Sequence, residues 1–292
     1  MAHSNPALAK EAPLRAAELG DAAALVAEAG WNQVAADWRI FLELGMVYAL
    51  RNDAGRVIAT AATLSYGGRF AWISMVLVAG TYRRQGLARR LMNRCIQDLT
   101  AAEIVPVLDA TPAGRSVYLA LGFRDAWSYH RLAGRGTSKG SLPPPVPPGL
   151  HIQPIDDPTF EELCRYDATV FGADRSAVLA RLRGRVPAAE LVALRGDRVC
   201  GFLLGRDGRS AQQLGPLVAE DAAIAQALVA RGLAALDGPI YIDLADTKAP
   251  LRAWLTELGF AAQRPLTRML HRRPTSFEDA ARTFAVAGPE LG

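Results

Sequence analysis

The chain has 292 residues, half of them apolar, and a formal net charge of +4. That length suggests about two domains, each large enough to bury a core. The charge is too small, and too little interleaved with aromatics, for a nucleic-acid surface, and no stretch approaches the ~18 uninterrupted apolar residues of a membrane span.

The opening residues MAHSNPALAKEAPLR carry no apolar h-region, so a cytoplasmic location is expected. A strand is expected near 14–17, then helices at about 21–29 and 34–44. Strands at about 46–51, 56–65 and 70–79 follow, separated by the turn signals Asn52-Asp53-Ala54-Gly55 and Gly67-Gly68. A helix at about 86–99 places Leu87, Leu91, Cys95, Ile96 and Leu99 on one face. A strand at 104–109, a helix at 113–121 closed by Gly122, and strands to about 132 complete this half.

Residues 134–148, GRGTSKGSLPPPVPP, read as a linker with a flexible part and a polyproline part. The plan then repeats. Asp109 precedes Gly122 by 13 residues and Asp246 precedes Gly259 by the same 13, each within a strand, an Asp, a helix and Leu-Gly-Phe. MVLVAGTYRRQGLARRLM likewise pairs with QLGPLVAEDAAIAQALVA. The expected organisation is therefore two copies of one mixed α/β fold, at 1–133 and 151–292, joined by a linker at 134–150. Cys95, Cys164 and Cys200 are isolated, and His3, His130, His151 and His271 are scattered, so neither a disulfide framework nor a metal site is expected.

The most informative stretch is Met75–Met92. An apolar strand (Met75, Val76, Leu77, Val78) enters the turn Arg83-Arg84-Gln85-Gly86-Leu87-Ala88, and a helix starts at once. A glycine and a small residue let backbone approach a ligand, and the helix start presents unpaired N–H groups with about +0.5 charge. Arg83, Arg84 and Arg89 add to that field. Neither the G-K-[ST] of a nucleotide loop nor a G-x-G-x-x-G fingerprint is present.

The spacing R-x-x-G-x-A after M-x-L-V resembles the acyl-CoA signature of the GNAT superfamily of amine N-acetyltransferases. The resemblance implies a mixed sheet splayed near its fourth strand. There the backbone of Val76, Leu77 and Val78 would meet pantetheine, while Arg83, Arg84, Gln85, Gly86, Leu87, Ala88 and Arg89 would hold the pyrophosphate. Parted strands leave amides without partners, which two pantetheine amides can satisfy. Tyr118 lies in A-G-R-S-V-Y-L-A-L-G-F, similar to the GNAT pattern N-x-x-A-x-x-x-Y-x-x-x-G-F, whose tyrosine acts as general acid toward the departing thiolate. Thr111 and Gly114 stand where that pattern has Asn and Ala. A tyrosine that packs on the sheet is the alternative. For the base, Glu28 and Asp37 flank Ala29-Gly30-Trp31-Asn32 in the region where GNAT proteins build the acceptor pocket. Asp109 is a third candidate. Glu28 and Asp37 are equally readable as helix charges, and Asp109 as a helix cap.

In the second copy, aligned on Val78 and Val218, Arg83 becomes Ala223, Gly86 becomes Gln226, Ala88 becomes Leu228 and Tyr118 pairs with Leu255. This copy is expected not to bind CoA. Asp243, Asp246 and Trp254 are its candidates for a wall of the acceptor pocket. With the ending TFAVAGPELG (283–292), the chain is similar to a bacterial two-domain GNAT family with a degenerate C-terminal copy. That resemblance implies acetyl-CoA as donor, a primary amine of a small molecule or peptide as acceptor, direct transfer in a ternary complex, and no metal. A longer acyl-CoA donor and a CoA-responsive binding protein without turnover are the two alternatives.

Overall fold

The computed structural model describes residues 9–136 and 146–292. The chain divides into two compact units between Leu108 and Asp109. In the first, β1 (Lys10–Pro13) precedes α1 (Leu19–Glu28), α2 (Ala35–Leu44), β2 (Met46–Arg51), β3 (Val57–Tyr66), β4 (Phe70–Val78), α3 (Leu87–Ala101) and β5 (Val105–Ala110). The strands lie in the order β1-β2-β3-β4-β5, antiparallel except for the parallel pair β4–β5. The expected strand near 14–17 is observed earlier, as β1. Residues 16–18 instead form a 3-10 turn, because Glu18 turns back onto the Arg15 amide and is gripped by Arg51.

Helix α3 buries Leu87, Leu91, Met92, Cys95 and Leu99, the stripe that a 3.6-residue period predicts. Met92 takes the place expected for Ile96, which is half-buried. The helix packs on β3 and β4, the strands that carry the site. Strand β3 is buried at nine of its ten positions, as befits a strand covered on both faces.

The second unit begins inside β5 and continues through α4 (Pro112–Ala120) and β6 (Phe123–Arg135). It then runs β7 (Leu150–Pro154), α5 (Asp157–Phe171), α6 (Ser176–Leu182), β8 (Leu191–Arg195), β9 (Arg198–Arg206), β10 (Gln212–Ala219), α7 (Ala222–Ala234), β11 (Pro239–Ala245), α8 (Ala249–Glu257), β12 (Ala261–His271) and β13 (Thr283–Ala285). Its strand order is β12-β6-β11-β13-β10-β9-β8-β7.

The expected boundaries at 133 and 151 therefore do not coincide with the compact units. The reason is the path of β6. This strand follows the first-copy helix α4, yet it is hydrogen-bonded between two second-copy strands. It pairs with β11 from Pro239↔Arg135 to Ala245↔Tyr129, and with β12 from Ala261↔Ala133 to His271↔Phe123. Residues 134 and 135, assigned to the linker from sequence, extend β6. Residues 137–145 of the linker lie outside the described residues.

The C-terminal core is formed by α7 on the sheet, with Leu203, Leu214, Leu217, Leu228, Ile240, Ile242, Leu244, Leu255 and Phe260 all buried. A second feature of this unit is a run of buried ion pairs. Arg131 grips Asp243 through two hydrogen bonds of 2.8 and 2.7 Å, and Arg175 grips Asp167 through two of 2.8 Å. Arg206 pairs with Glu290, and Arg268 lies between Asp109 and Glu278. Each guanidinium is paired with a carboxylate, the condition under which a buried charge is tolerated.

Candidate active site

Strand β4 carries a bulge that no sequence signal announced. Its register with β3 shifts between Thr60↔Leu77 and Ala62↔Ser74, and Met75 adopts φ +51°. A left-handed methionine costs roughly 1–2 kcal/mol. The buried Thr60 hydroxyl offsets part of that by donating to the Met75 carbonyl at 2.8 Å. The bulge bends β4 just where its parallel pairing with β5 ends. That pairing runs over three positions, Phe70↔Val105, Ala71↔Pro106 and Trp72↔Val107. Beyond Trp72, no β5 partner of β4 is found among the described residues. The strands part as expected.

Ala79 donates its N–H to Ile58 of β3, so by strand alternation Val78 and Val76 direct their backbone groups away from β3, toward the opening. The Val78 carbonyl accepts from Arg83 Nε at 3.2 Å. Val76 and Val78 are half-buried, whereas Leu77 is a core residue. All three therefore sit at the split, but the alternation leaves the backbone groups of Val76 and Val78 facing the opening.

After β4, a 3-10 turn (Gly80–Tyr82) leads into Arg83-Arg84-Gln85-Gly86. Arg84 (φ +60°) and Gly86 (φ +78°) are both left-handed, which curls successive N–H groups into a concave nest. Gly86 is the N-cap of α3, and no side chain among the described residues caps that helix start; the first helical bond is Arg90 N–H to the Gly86 carbonyl at 2.9 Å. The amides of Leu87, Ala88 and Arg89 thus have no acceptor within the helix. A Cβ on Gly86 would meet no atom of the described residues within 4 Å, so this glycine leaves open space above the nest. Arg83, Arg84, Gln85 and Arg89 are exposed around it, while the Leu87 side chain is buried and anchors the helix. The arrangement suits a pyrophosphate.

Glu28 closes the back of this turn. Its Oε1 accepts the Gly80 N–H at 2.6 Å and lies 4.0 Å from an Arg83 nitrogen. A Cβ at position 80 would sit 2.3 Å from that oxygen, so a side chain there would displace the carboxylate. Asp37 is fully buried, and its Oδ2 accepts the Val34 N–H at 2.8 Å in the first turn of α2.

Asp109 is not a helix cap. It is buried under Arg268, which donates to both its oxygens at 2.9 and 2.8 Å, and Thr111 caps α4 through the Gly114 N–H at 3.3 Å. Thr111 thus performs the capping at the position where the GNAT pattern carries Asn. Tyr118 stands on α4 with its ring edge-on to Phe123, centroids 6.1 Å apart. Its ring lies 3.0 Å from where a Cβ of residue 114 would be, so an alanine there would require the ring to give by a few tenths of an ångström. Burial raises the Tyr118 phenol above its ordinary value of ~10, so it stays in the proton-donating form. Burial also pushes the Cys95 thiol up to about 12 and the Cys164 thiol up to about 11, which leaves both unreactive.

Two family profiles match the chain. The profile described as Acetyltransferase (GNAT) family covers residues 22–123, and the one described as Acetyltransferase (GNAT) domain covers residues 163–285. The chain belongs to the GNAT acetyltransferase superfamily. It carries two of that superfamily's domains. Among curated relatives, it is 25% identical over 237 residues to the uncharacterized N-acetyltransferase YitH of Bacillus subtilis, covering 81% of this chain and 82% of that one. It is 25% identical over 177 residues to a holothin acyltransferase of Pseudoalteromonas, covering 61% of this chain and 58% of the relative. Among solved structures, a putative acetyltransferase from Pyrococcus horikoshii superposes with a TM-score of 0.76 at 16% identity, covering 97% of this chain and 96% of that chain. A tandem GNAT protein from the clavulanic acid biosynthesis pathway gives 0.64 at 14% identity, covering 92% and 100%.

The second GNAT domain of this chain treats the equivalent positions differently. Asp221 caps α7, accepting the Ile224 N–H at 2.9 Å. Glu220 is held by Arg198, and Arg195 reaches Asp221 at 3.3 Å. The helix start that is open in the first domain is satisfied here by the protein's own carboxylates, which would repel an anionic ligand. Of the residues expected to line an acceptor pocket, Asp243 is fully buried against Arg131, and Trp254 packs on the C-terminal core. Asp246 is partly exposed but bound to His130 at 2.6 Å and to Arg252.

Proposed function

We propose that this protein is an acetyl-CoA-dependent N-acetyltransferase whose one CoA site lies in the first domain. The observation that carries the reading is the conjunction on β4 and α3. An uncapped helix start in a left-handed nest stands at the end of a strand that parts from its parallel neighbour, and together they match the two ends of an acyl-CoA molecule. The nest and Arg83, Arg84 and Arg89 bind the pyrophosphate; Val76 and Val78 pair with the pantetheine amides.

The reaction joins the acceptor nitrogen to the thioester carbonyl carbon and breaks the carbon–sulfur bond. The departing thiolate takes a proton from the Tyr118 hydroxyl, and the ammonium formed on the acceptor gives up its own. Among the candidate bases, Glu28 is the carboxylate that solvent reaches, at the end of β4, and it receives that proton through water. Asp37 supports the fold of α2. The raised thiols of Cys95 and Cys164 favour direct transfer over a cysteinyl intermediate. The acceptor is a primary amine of a small molecule or peptide, in keeping with the N-acetyltransferase and acyltransferase relatives.

A panel of amine pools incubated with acetyl-CoA, followed by free thiol release and product mass, tests the reading. Turnover with a mass gain of one acetyl group on an amine is the expected result. Turnover only with longer acyl-CoAs would assign a different donor. Acetyl-CoA binding without turnover on any amine would identify a CoA-responsive binding protein instead.

A further inference from the structure

The second domain repeats the splay of the first, but there the gap is filled. Strands β10 and β11 pair in parallel over three positions, Gln212↔Ile240, Gln213↔Tyr241 and Leu214↔Ile242. The register of β10 with β9 then shifts between Leu214 and Leu217, the counterpart of the shift at Met75, and β10 and β11 separate. Into the opening comes β13. It is antiparallel to β10 through Leu217↔Ala285 and Val218↔Thr283, and it pairs with β11 through Leu244↔Ala285. Two further bonds secure its ends: Ala219 N–H to the Arg282 carbonyl at 3.0 Å, and Val286 N–H to the Asp243 carbonyl at 3.1 Å.

We infer that residues 282–292 are a built-in ligand of the second domain, a peptide strand occupying the slot that its first-domain counterpart offers to pantetheine. The direction of travel matches. Thr283 lies beside Val218, next to the start of α7, and the chain then runs inward along β10 past the bulge. At the bulge the approach is close: a Cβ on Gly215 would stand 2.1 Å from the Val286 carbonyl oxygen. Deeper in, fully buried Arg206 donates to the Ala287 carbonyl at 3.3 Å and pairs with Glu290, and Arg175 donates to the Gly292 carbonyl at 3.0 Å. Gly288 (φ +138°) is pressed against Arg206, whose Nη2 would be 2.6 Å from a Cβ. The segment therefore supplies backbone amides to both parted strands, as a pantetheine arm would, and places a carboxylate beyond the bulge, where the first domain would bring an acceptor.

The equation of the two slots rests on the proposed function, whereas the occupancy of the second does not. One consequence separates this inference from the loss of the anion nest. A domain that had merely lost its phosphate contacts would keep an open slot with weak affinity for pantetheine-bearing ligands. A domain with an internal ligand has no slot to offer at any concentration.

Hydrogen exchange on the full chain, with and without saturating acetyl-CoA, tests it. Amides of Ala285 and Val286 are expected to exchange as slowly as those of β10 and β11. Acetyl-CoA is expected to slow exchange in residues 76–89 and to leave 214–219 and 283–286 unchanged. In Gly215→Ala, exchange across 283–292 rises at least tenfold. Rapid exchange at Ala285 and Val286 in the unaltered protein, or ligand-induced protection of 214–219, would overturn the inference. Failure of acetyl-CoA to protect 76–89, with 283–286 still slow, would sink the proposed function and leave the internal ligand standing.

Discussion

Tyr118 and Glu18 illustrate how differently two ionisable side chains serve this protein. Tyr118 has its phenol raised by burial, so the proton it would donate is retained through neutral pH. Tyr118→Phe is expected to lower kcat roughly 10²-fold with little change in acetyl-CoA affinity, the range of general acid catalysis. The variant also loses whatever alkaline limb the wild-type kcat profile shows above pH ~10. Full turnover in the variant would make Tyr118 a packing residue. Glu18 is purely structural. Hydrogen bonds from Arg51 and Arg15 hold its carboxyl far below the ordinary carboxylate range. A depressed carboxylate stabilises the folded state above its unfolded value of ~4.3, and that contribution is lost as pH falls through the folded value. Urea titrations of Glu18→Gln should show a loss of about 1–3 kcal/mol at pH 7 that shrinks steadily below pH 4. A difference independent of pH would contradict the assignment.

At the scale of elements, β4 shows both what the sequence discloses and what it conceals. The apolar run Met75–Val78, the Gly86 turn and the stripe of α3 are local patterns, and they are found where the sequence puts them except that Met92 is buried in place of Ile96. The bulge is not local. It depends on Thr60, fifteen residues away on β3, donating to the Met75 carbonyl, and a threonine in an apolar strand carries no such message. Thr60→Val is expected to cost about 1–3 kcal/mol, the penalty of an unsatisfied buried carbonyl, and to raise the KM for acetyl-CoA as the split relaxes. Thermal unfolding and steady-state kinetics on one preparation measure both; an unchanged KM would mean that the bulge does not shape the donor site. Asp109 was misleading for a related reason. Its position before a helix is that of a cap, yet its partner Arg268 is 159 residues distant, and only the pairing of strands brings them together.

For the whole molecule, the repeat was legible because two strand–Asp–helix–Leu-Gly-Phe segments share one spacing. The exchange of β6 into the second unit was not, since a strand's partners leave no mark on its own alternation. Nor did the tail 283–292 betray that it completes a sheet, because three residues are too few for a periodic signal. The buried ion pairs bind this unit together, and Arg206 ties the tail to β9 through Ala287 and Glu290. Arg206→Met should destabilise the protein by about 3–5 kcal/mol, since it leaves Glu290 buried without its partner. Adding Glu290→Gln should recover part of that loss in the same denaturation assay. The central claim, one donor site confined to the first copy, is tested most directly by calorimetric titration of acetyl-CoA into three proteins. The account predicts one equivalent bound by the unaltered chain, none by Gly86→Glu, whose carboxylate enters the nest, and one with unchanged affinity by Gln226→Glu at the matching position of the second copy. Two equivalents bound, or equal losses in the two variants, would contradict it.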